Sequence, residues 1–144
     1  MSKSQLPTVL FNASVILAGL KTHTGGSGKL LSWVRGQKIN GVISDIILDE
    51  ALRNASNIKM ASEEVAQKIK RIFKKIAKEP GQEVVEQFSK KVIEVGDAHV
   101  LASAKEEGTQ FLVTLDKKHL LVLRSKITDF KIVTPGQLIA ILSA

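Results

Sequence analysis

The sequence has no cysteine and no tyrosine, a single tryptophan, five phenylalanines and three histidines in 144 residues. Without cysteine there is no disulfide and no thiolate metal site, so metal chemistry would have to use oxygen or imidazole ligands. A cysteine-free chain also suits a reducing cytoplasm. Three scattered histidines are too few for an imidazole zinc site. The scarcity of aromatics argues against a platform for stacking nucleic-acid bases and assigns most of the rings to the core. No long hydrophobic run exists either. Residues 9–20 are apolar but interrupted by Asn12 and Ser14, and twelve residues fall short of the ~18 needed to cross a bilayer. With no secretory signal visible, a soluble protein without membrane contact is expected.

What remains is the composition of a folded domain. Hydrophobic residues make up 44%, enough for a substantial core at this length. Residues 1–7 read as a polar lead-in and residues 8–144 as one domain. The 21 Lys+Arg exceed the 14 Asp+Glu, giving a net charge of +7. That excess favours anionic partners, although it lies within the ordinary range of about 2 to 8 for a small domain.

Thr8-Val9-Leu10-Phe11 is a compact apolar run that predicts a buried first strand, with a helix over 14–20. A glycine-rich loop over 21–28 follows, with Ser27 a candidate cap for a helix to about Arg35. A second strand spans 39–43. Ser44 then caps an amphipathic helix with Ile47, Leu48, Ala51 and Leu52 on one side. The pattern predicts a further helix from Ser62 to the stop at Glu79-Pro80-Gly81. Residues 84–95 read as one short strand and one irregular segment. Asp97 opens a helix that Gly108 closes, strands follow over 111–115 and at Ile132-Val133, and Thr134-Pro135 starts a last helix over 136–142.

Strands that are apolar throughout, alternating with helices, predict an α/β domain: three layers, α/β/α, around a mainly parallel central sheet. Such sheets bind ligands beyond the carboxyl ends of their strands. Asn12 follows the first strand and Asp116 follows the strand at 111–115. Glu50 rides on the helix launched by Ser44, and Asp97 lies at the start of the helix that leads into the strand at 111–115. These four residues can meet at one edge. Carboxylates gathered there repel one another and are tolerated when a cation or a shared proton offsets the repulsion. Hard ions such as Mg²⁺ or Mn²⁺ suit an all-oxygen site and can support phosphodiester hydrolysis. An acid at a helix start is also an ordinary dipole partner, and spacing alone does not separate the two explanations.

The segments Val9-Leu10-Phe11-Asn12-Ala13-Ser14, Ser44 through Glu50, Gly96-Asp97-Ala98-His99 and Leu112-Val113-Thr114-Leu115-Asp116 carry a resemblance. With Ile132-Val133-Thr134-Pro135 they make the chain similar to PIN domains, in particular to the PIN-family toxins of type II toxin–antitoxin modules. The resemblance covers residues 8–142. It implies an endoribonuclease dependent on Mg²⁺ or Mn²⁺, acting on an RNA substrate, assembled as a homodimer and neutralised by an antitoxin protein. Carried over, Glu50, Asp97 and Asp116 are the metal ligands, and Ser14 and Thr114 are polar supports. Asp49 rivals Glu50 because periodicity does not decide between neighbours; Glu50 is preferred for its position six residues after Ser44.

Asn12 departs from the family pattern, which has Asp there. A carboxamide brings no charge and cannot act as a base, so weaker metal binding and lower turnover are expected. A working three-acid enzyme, a deliberately disarmed form and a catalytically silent RNA- or protein-binding module on the same fold all remain open.

Lys68, Arg71, Lys75 and Lys78 fall at helical spacing opposite Val65, Ile69, Ile72, Phe73 and Ile76. This basic face could hold an RNA backbone by phosphate contacts, and a solvated helix face explains the same pattern. The run His23-Thr24-Gly25-Gly26-Ser27-Gly28-Lys29-Leu30 fails the phosphate-loop pattern at both His23 and Leu30. His99 points to a helix face different from that of Asp97. His119, three residues after Asp116, lies near the proposed pocket with a proton-transfer role open.

Overall fold

The computed structural model describes residues 6–144. Residues 1–5 of the expected lead-in lie outside the described residues. Val9, Leu10 and Phe11 are fully buried in strand β1, Thr8–Phe11. Successive strand side chains point to opposite faces, so the sheet is covered on both sides at its centre.

Four further strands flank it: β2 (Asn40–Ser44), β3 (Lys75–Ala77), β4 (Phe111–Val113) and β5 (Lys131–Val133). The order is β3-β2-β1-β4-β5, with every neighbouring pair parallel. Leu10 lies level with Val42 on one side and with Leu112 on the other.

Helices α1 (Ala13–Lys21) and α2 (Gly26–Arg35) join β1 to β2, and α3 (Asp45–Arg53) and α4 (Ser62–Ile72) join β2 to β3. Helices α5 (Gln82–Ser89) and α6 (Val95–Glu106) carry the chain back to β4. Crossovers between parallel strands are right-handed. The first four helices therefore lie on one face, while α5 and α6, travelling the opposite way, lie on the other. Helix α7, Pro135–Ser143, follows β5 and opens with a reciprocal capping box between Thr134 and Gln137. The result is a three-layer α/β/α fold with a parallel sheet.

Three local expectations are corrected. The helix from Ser62 does not reach Pro80. It ends at Ile72, where Phe73 turns extended (φ −99°, ψ 120°) and meets Phe11 edge-on at 5.2 Å between ring centroids. Residues Lys75–Ala77 then add to the edge of β2, with Ile76 level with Ile43. An open strand edge whose backbone groups need partners outweighs the helical pattern. Residues 84–95 hold no strand. Val85 and Phe88, three apart on one face of α5, are both buried, and the Phe88 ring lies 6.5 Å from that of Phe130. Ser27 is not a cap, because the N-cap of α2 falls two residues earlier, at Gly25, and the helix already includes Ser27. The glycine at 28 serves packing: a Cβ there would lie 2.4 Å from the His23 carbonyl oxygen.

Candidate active site

The strand order reverses direction next to β1. From β1 the chain steps outward through β2 to β3, then returns to place β4 on the other side. The crevice beyond the carboxyl ends of β1 and β4 is thus the topological switch point, where open α/β sheets bind ligands. Asn12 leaves β1 there, and Thr114 to Asp116 leave β4.

Asn12 caps α1 and is 6% exposed. Its Oδ1 accepts from the Ser14 hydroxyl at 2.7 Å, the Thr114 hydroxyl at 3.1 Å and, at a longer 3.4 Å, the Ser14 amide. Each hydroxyl also accepts a backbone N–H. Ser14 Oγ takes that of Leu115 at 3.1 Å, and Thr114 Oγ1 takes that of Asp116 at 3.0 Å. Since each hydroxyl has one proton, both protons are committed to Asn12 Oδ1. The donors therefore fix which way the amide points. Ser14 and Thr114 tie the end of β1 to the loop that holds Asp116.

Asp116 grips His119. Its Oδ1 accepts the His119 amide N–H at 3.0 Å, and its Oδ2 lies 3.2 Å from His119 Nδ1. That contact raises the pKa of the imidazole, which also feels the charges of Asp97 and Glu94.

Asp97 is the third residue of α6, not its cap; Glu94 occupies that position. Burial pushes the Asp97 carboxyl up, His119 opposes this, and Asp116 and Glu94 add to it by repulsion. Asp97 Oδ2 is buried without a hydrogen-bond partner among the described residues. Glu50 is also pushed up, chiefly by burial, with Arg53 opposing and Asp97, Asp116 and Glu94 reinforcing. Glu50, Arg53, Glu94 and Asp97 line one cleft of about 250 Å³. Asp49 instead faces solvent, paired with Arg53 at 3.1 Å.

Glu50, Asp97 and Asp116 thus share one electrostatic neighbourhood, and Asn12 joins it through Thr114. Sequence reasoning missed Glu94, which sits at the cap position three residues before Asp97. It also left unseen that His119 is held by Asp116. A larger hollow of about 710 Å³ lies against β5 and α7, lined by residues such as Ile127, Phe130 and Ile141, with no acid among its walls.

The oxygen-rich donor set, the raised carboxylates and the orphaned Asp97 Oδ2 suit a hard divalent cation in kind. Among the described residues, no three His, Asp or Glu side chains stand within common reach of one ion.

The basic face expected on one helix is divided. Lys68 and Arg71, on α4, line a groove of about 350 Å³ with His23, Ser32 and Arg35. Neither cation forms an ion pair among the described residues. Lys75 belongs to β3 and pairs with Glu107 at 2.7 Å, and Lys78 lies beyond that strand.

A parallel α/β sheet with acids crowded at its switch point defines the class. The PIN domain family model matches residues 8–118, and the chain belongs to that family. No curated protein matches the chain. Among solved structures it is similar to PAE2754 from Pyrobaculum aerophilum, at 20% identity, with 95% of this chain and 96% of that one covered and a TM-score of 0.64. It is also similar to VapBC2 from Rickettsia felis bound to a promoter DNA fragment, at 17% identity, 88% and 98% coverage and a TM-score of 0.63. The sarcin–ricin-loop-cleaving toxin VapC20 of Mycobacterium tuberculosis shares 14% identity over 85% and 98% of the two chains, with a TM-score of 0.54. At these identities the likeness is one of fold.

Proposed function

We propose that the chain is a divalent-metal-dependent endoribonuclease of the PIN toxin type, weakened at the position of Asn12. The observation that carries this reading is the set of carboxylates at the switch point: Glu50 and Asp97 are raised by burial and by their neighbours, and Asp97 Oδ2 has no partner. Such a cluster lowers its own energy by taking up a cation. Glu50, Asp97 and Asp116 would hold Mg²⁺ or Mn²⁺. The bound ion would polarise a phosphodiester and offset the charge that develops on it. Asn12 adds no charge, so the ion is held by fewer carboxylates and binds more weakly. Ser14 and Thr114 position Asp116 through their bonds to Asn12 and to the loop backbone.

VapC20 cleaves an RNA loop, which makes RNA the substrate class to test first. Lys68 and Arg71 would contribute phosphate contacts from their groove. Likeness to VapBC2 motivates a search for a partner antitoxin, and the homodimer expected of the family is tested by the mass of the purified chain. Among the described residues no helix is long and apolar enough to cross a membrane, which is compatible with a cytoplasmic RNA target.

A catalytically silent binding module on the same fold is favoured by one specific feature: Asn12 Oδ1 already accepts three hydrogen bonds and has little capacity left for a metal. Cleavage of RNA with Mn²⁺ or Mg²⁺ by this chain, by Asn12→Asp and by Asp116→Asn decides between them. Cleavage by the unaltered chain that is lost in Asp116→Asn supports the enzyme. Cleavage by Asn12→Asp alone makes this chain a disarmed nuclease. Absence of cleavage in all three, with RNA binding retained, supports the silent module.

A further inference from the structure

We propose that the free edge of β5, with the hollow beside it, is a docking site for an extended acidic peptide segment of another protein, which adds to the sheet as a further strand. The site is separate from the acidic cluster and needs no cation there.

The backbone comes first. β5 is the last strand in the order β3-β2-β1-β4-β5. The Lys131 N–H donates to the Gln110 carbonyl, and the Thr114 N–H donates to the Val133 carbonyl, each at 3.0 Å. Lys131 and Val133 therefore turn their backbone groups to β4. In a parallel ladder the residue between two such residues turns its N–H and C=O the other way. That residue is Ile132, level with Leu112. Its donor and acceptor are thus presented at the open edge, where an extended peptide can pair with them.

The hollow comes second. It measures about 710 Å³ and lies along this edge. Buried Ile127, Phe130, Ile132 and Val133 give it an apolar lining, and Ile141 of α7 adds an apolar wall that is 43% exposed. An added strand sends successive side chains to opposite faces, so every second one is available to the hollow. Phe130 is the one ring in the lining and is only 5% exposed. It offers no platform for a base, which favours a peptide over RNA at this edge.

Charge comes third and selects the kind of peptide. The charged residues of the lining are Arg124 and Lys131, both cations. Neither forms an ion pair among the described residues. A lysine on a short edge strand discourages pairing with a like-charged strand. A second copy of this chain would bring the same two cations and the same net charge of +7, so self-pairing is opposed. A strand that alternates acidic with apolar residues meets both the cations and the hollow.

The test uses the full chain and a short, capped, fluorescein-labelled peptide that alternates glutamate with valine. Its controls are the same peptide with lysine for glutamate and the same peptide with a methylated backbone that cannot donate. Anisotropy is expected to show saturable binding of the glutamate–valine peptide and none of either control. Arg124→Glu/Lys131→Glu, two exposed changes whose folding is checked by circular dichroism, is expected to weaken binding about tenfold, the size of two exposed pairs turned from attraction to repulsion. Hydrogen exchange at the Ile132 amide is expected to slow when the peptide binds, with that at Lys131, already bonded to β4, little changed. Absence of saturable binding overturns the proposal, as does equal affinity in Arg124→Glu/Lys131→Glu. Full binding of the methylated peptide also overturns it, since the hollow would then act without the strand edge. Protection of the Ile132 amide that rises with protein concentration alone makes the edge an interface between copies. Loss of RNA affinity in Arg124→Glu/Lys131→Glu, with no peptide bound by the unaltered chain, assigns the two cations to RNA instead.

Discussion

Thr114 Oγ1 donates to Asn12 Oδ1 across 3.1 Å, and the same oxygen accepts the Asp116 amide N–H at 3.0 Å. One fully buried hydroxyl therefore links the residue that follows β1 to the acid that follows β4. A buried polar atom left without its partner costs about 1–3 kcal/mol. Thr114→Val keeps the shape and leaves both Asn12 Oδ1 and the Asp116 N–H short of a partner. Urea unfolding is expected to show a loss of that size, and cation affinity is expected to fall as Asp116 loosens. Thr114→Ser, which keeps the hydroxyl, is expected to restore most of both. Equal affinity in Thr114→Val and the unaltered chain would remove Thr114 from any positioning role.

Asn12→Asp offers the same three donors an acceptor of the same shape and adds a charge. Cation affinity rises with ligand charge. A tenfold gain in affinity at saturating ion adds about 1.4 kcal/mol of stability, which corresponds to ~3–6 °C in a chain of this size. Thermal melts with and without Mn²⁺ are expected to show a larger ion-induced rise in Asn12→Asp than in the unaltered chain. Equal rises in the two proteins would mean that residue 12 does not face the ion.

How far the sequence disclosed this site depends on which forces place each residue. Caps are local, and two of them read directly: Ser44 Oγ accepts the Ile47 N–H at 3.3 Å, and Thr134 forms its box with Gln137. Strand β1 was legible because an unbroken apolar run has few other uses. Strand β3 was not, since Lys75, Ile76 and Ala77 continue the helical spacing of α4 and become a strand only by pairing with β2. The site divides in the same way. Asn12 and Asp116 follow strands and could be placed by topology. Glu94 takes its place from where α6 begins, and the grip of Asp116 on His119 comes from a local turn in the loop after β4; neither start nor turn is marked by an apolar period or a strong cap residue.

The acidic cluster makes stability depend on pH with a definite sign. Burial and mutual repulsion raise Glu50 and Asp97 above their unfolded values. Between the ordinary carboxylate range and those raised values, the folded state holds more protons than the unfolded one. Stability without metal therefore falls as pH rises through that window. The contact with Asp116 raises His119, so its stabilising contribution is complete below the ordinary imidazole value and is lost as pH rises through the folded one. Both effects favour mildly acidic conditions for the metal-free protein. Melting temperatures measured across pH are expected to fall towards neutrality in the unaltered chain and to fall less in Asp97→Asn, which is also expected to be more stable at neutral pH. An unchanged profile in Asp97→Asn would show that the carboxyl titrates as it does in the unfolded chain.

The division of the basic face gives a prediction that separates its members. Lys68 and Arg71 line one groove with Arg35 and His23, while Lys75 is paired with Glu107 at 2.7 Å. A cation that touches a phosphate releases a counterion, so each such contact on single-stranded RNA contributes about −0.7 to the slope of log affinity against log salt. Removing Lys68 and Arg71 together is expected to make that slope less steep by about 1.4 and to weaken binding about equally across RNA sequences, since phosphate contacts carry no base information. Lys75→Ala is expected to leave the slope unchanged, because its charge is already answered within the protein. Fluorescence anisotropy with short single-stranded RNAs over a salt series measures both quantities. The same slope in Lys68→Ala/Arg71→Ala as in the unaltered chain would mean that the groove does not hold the RNA backbone. A change in Lys75→Ala would mean that its pair with Glu107 opens when RNA binds.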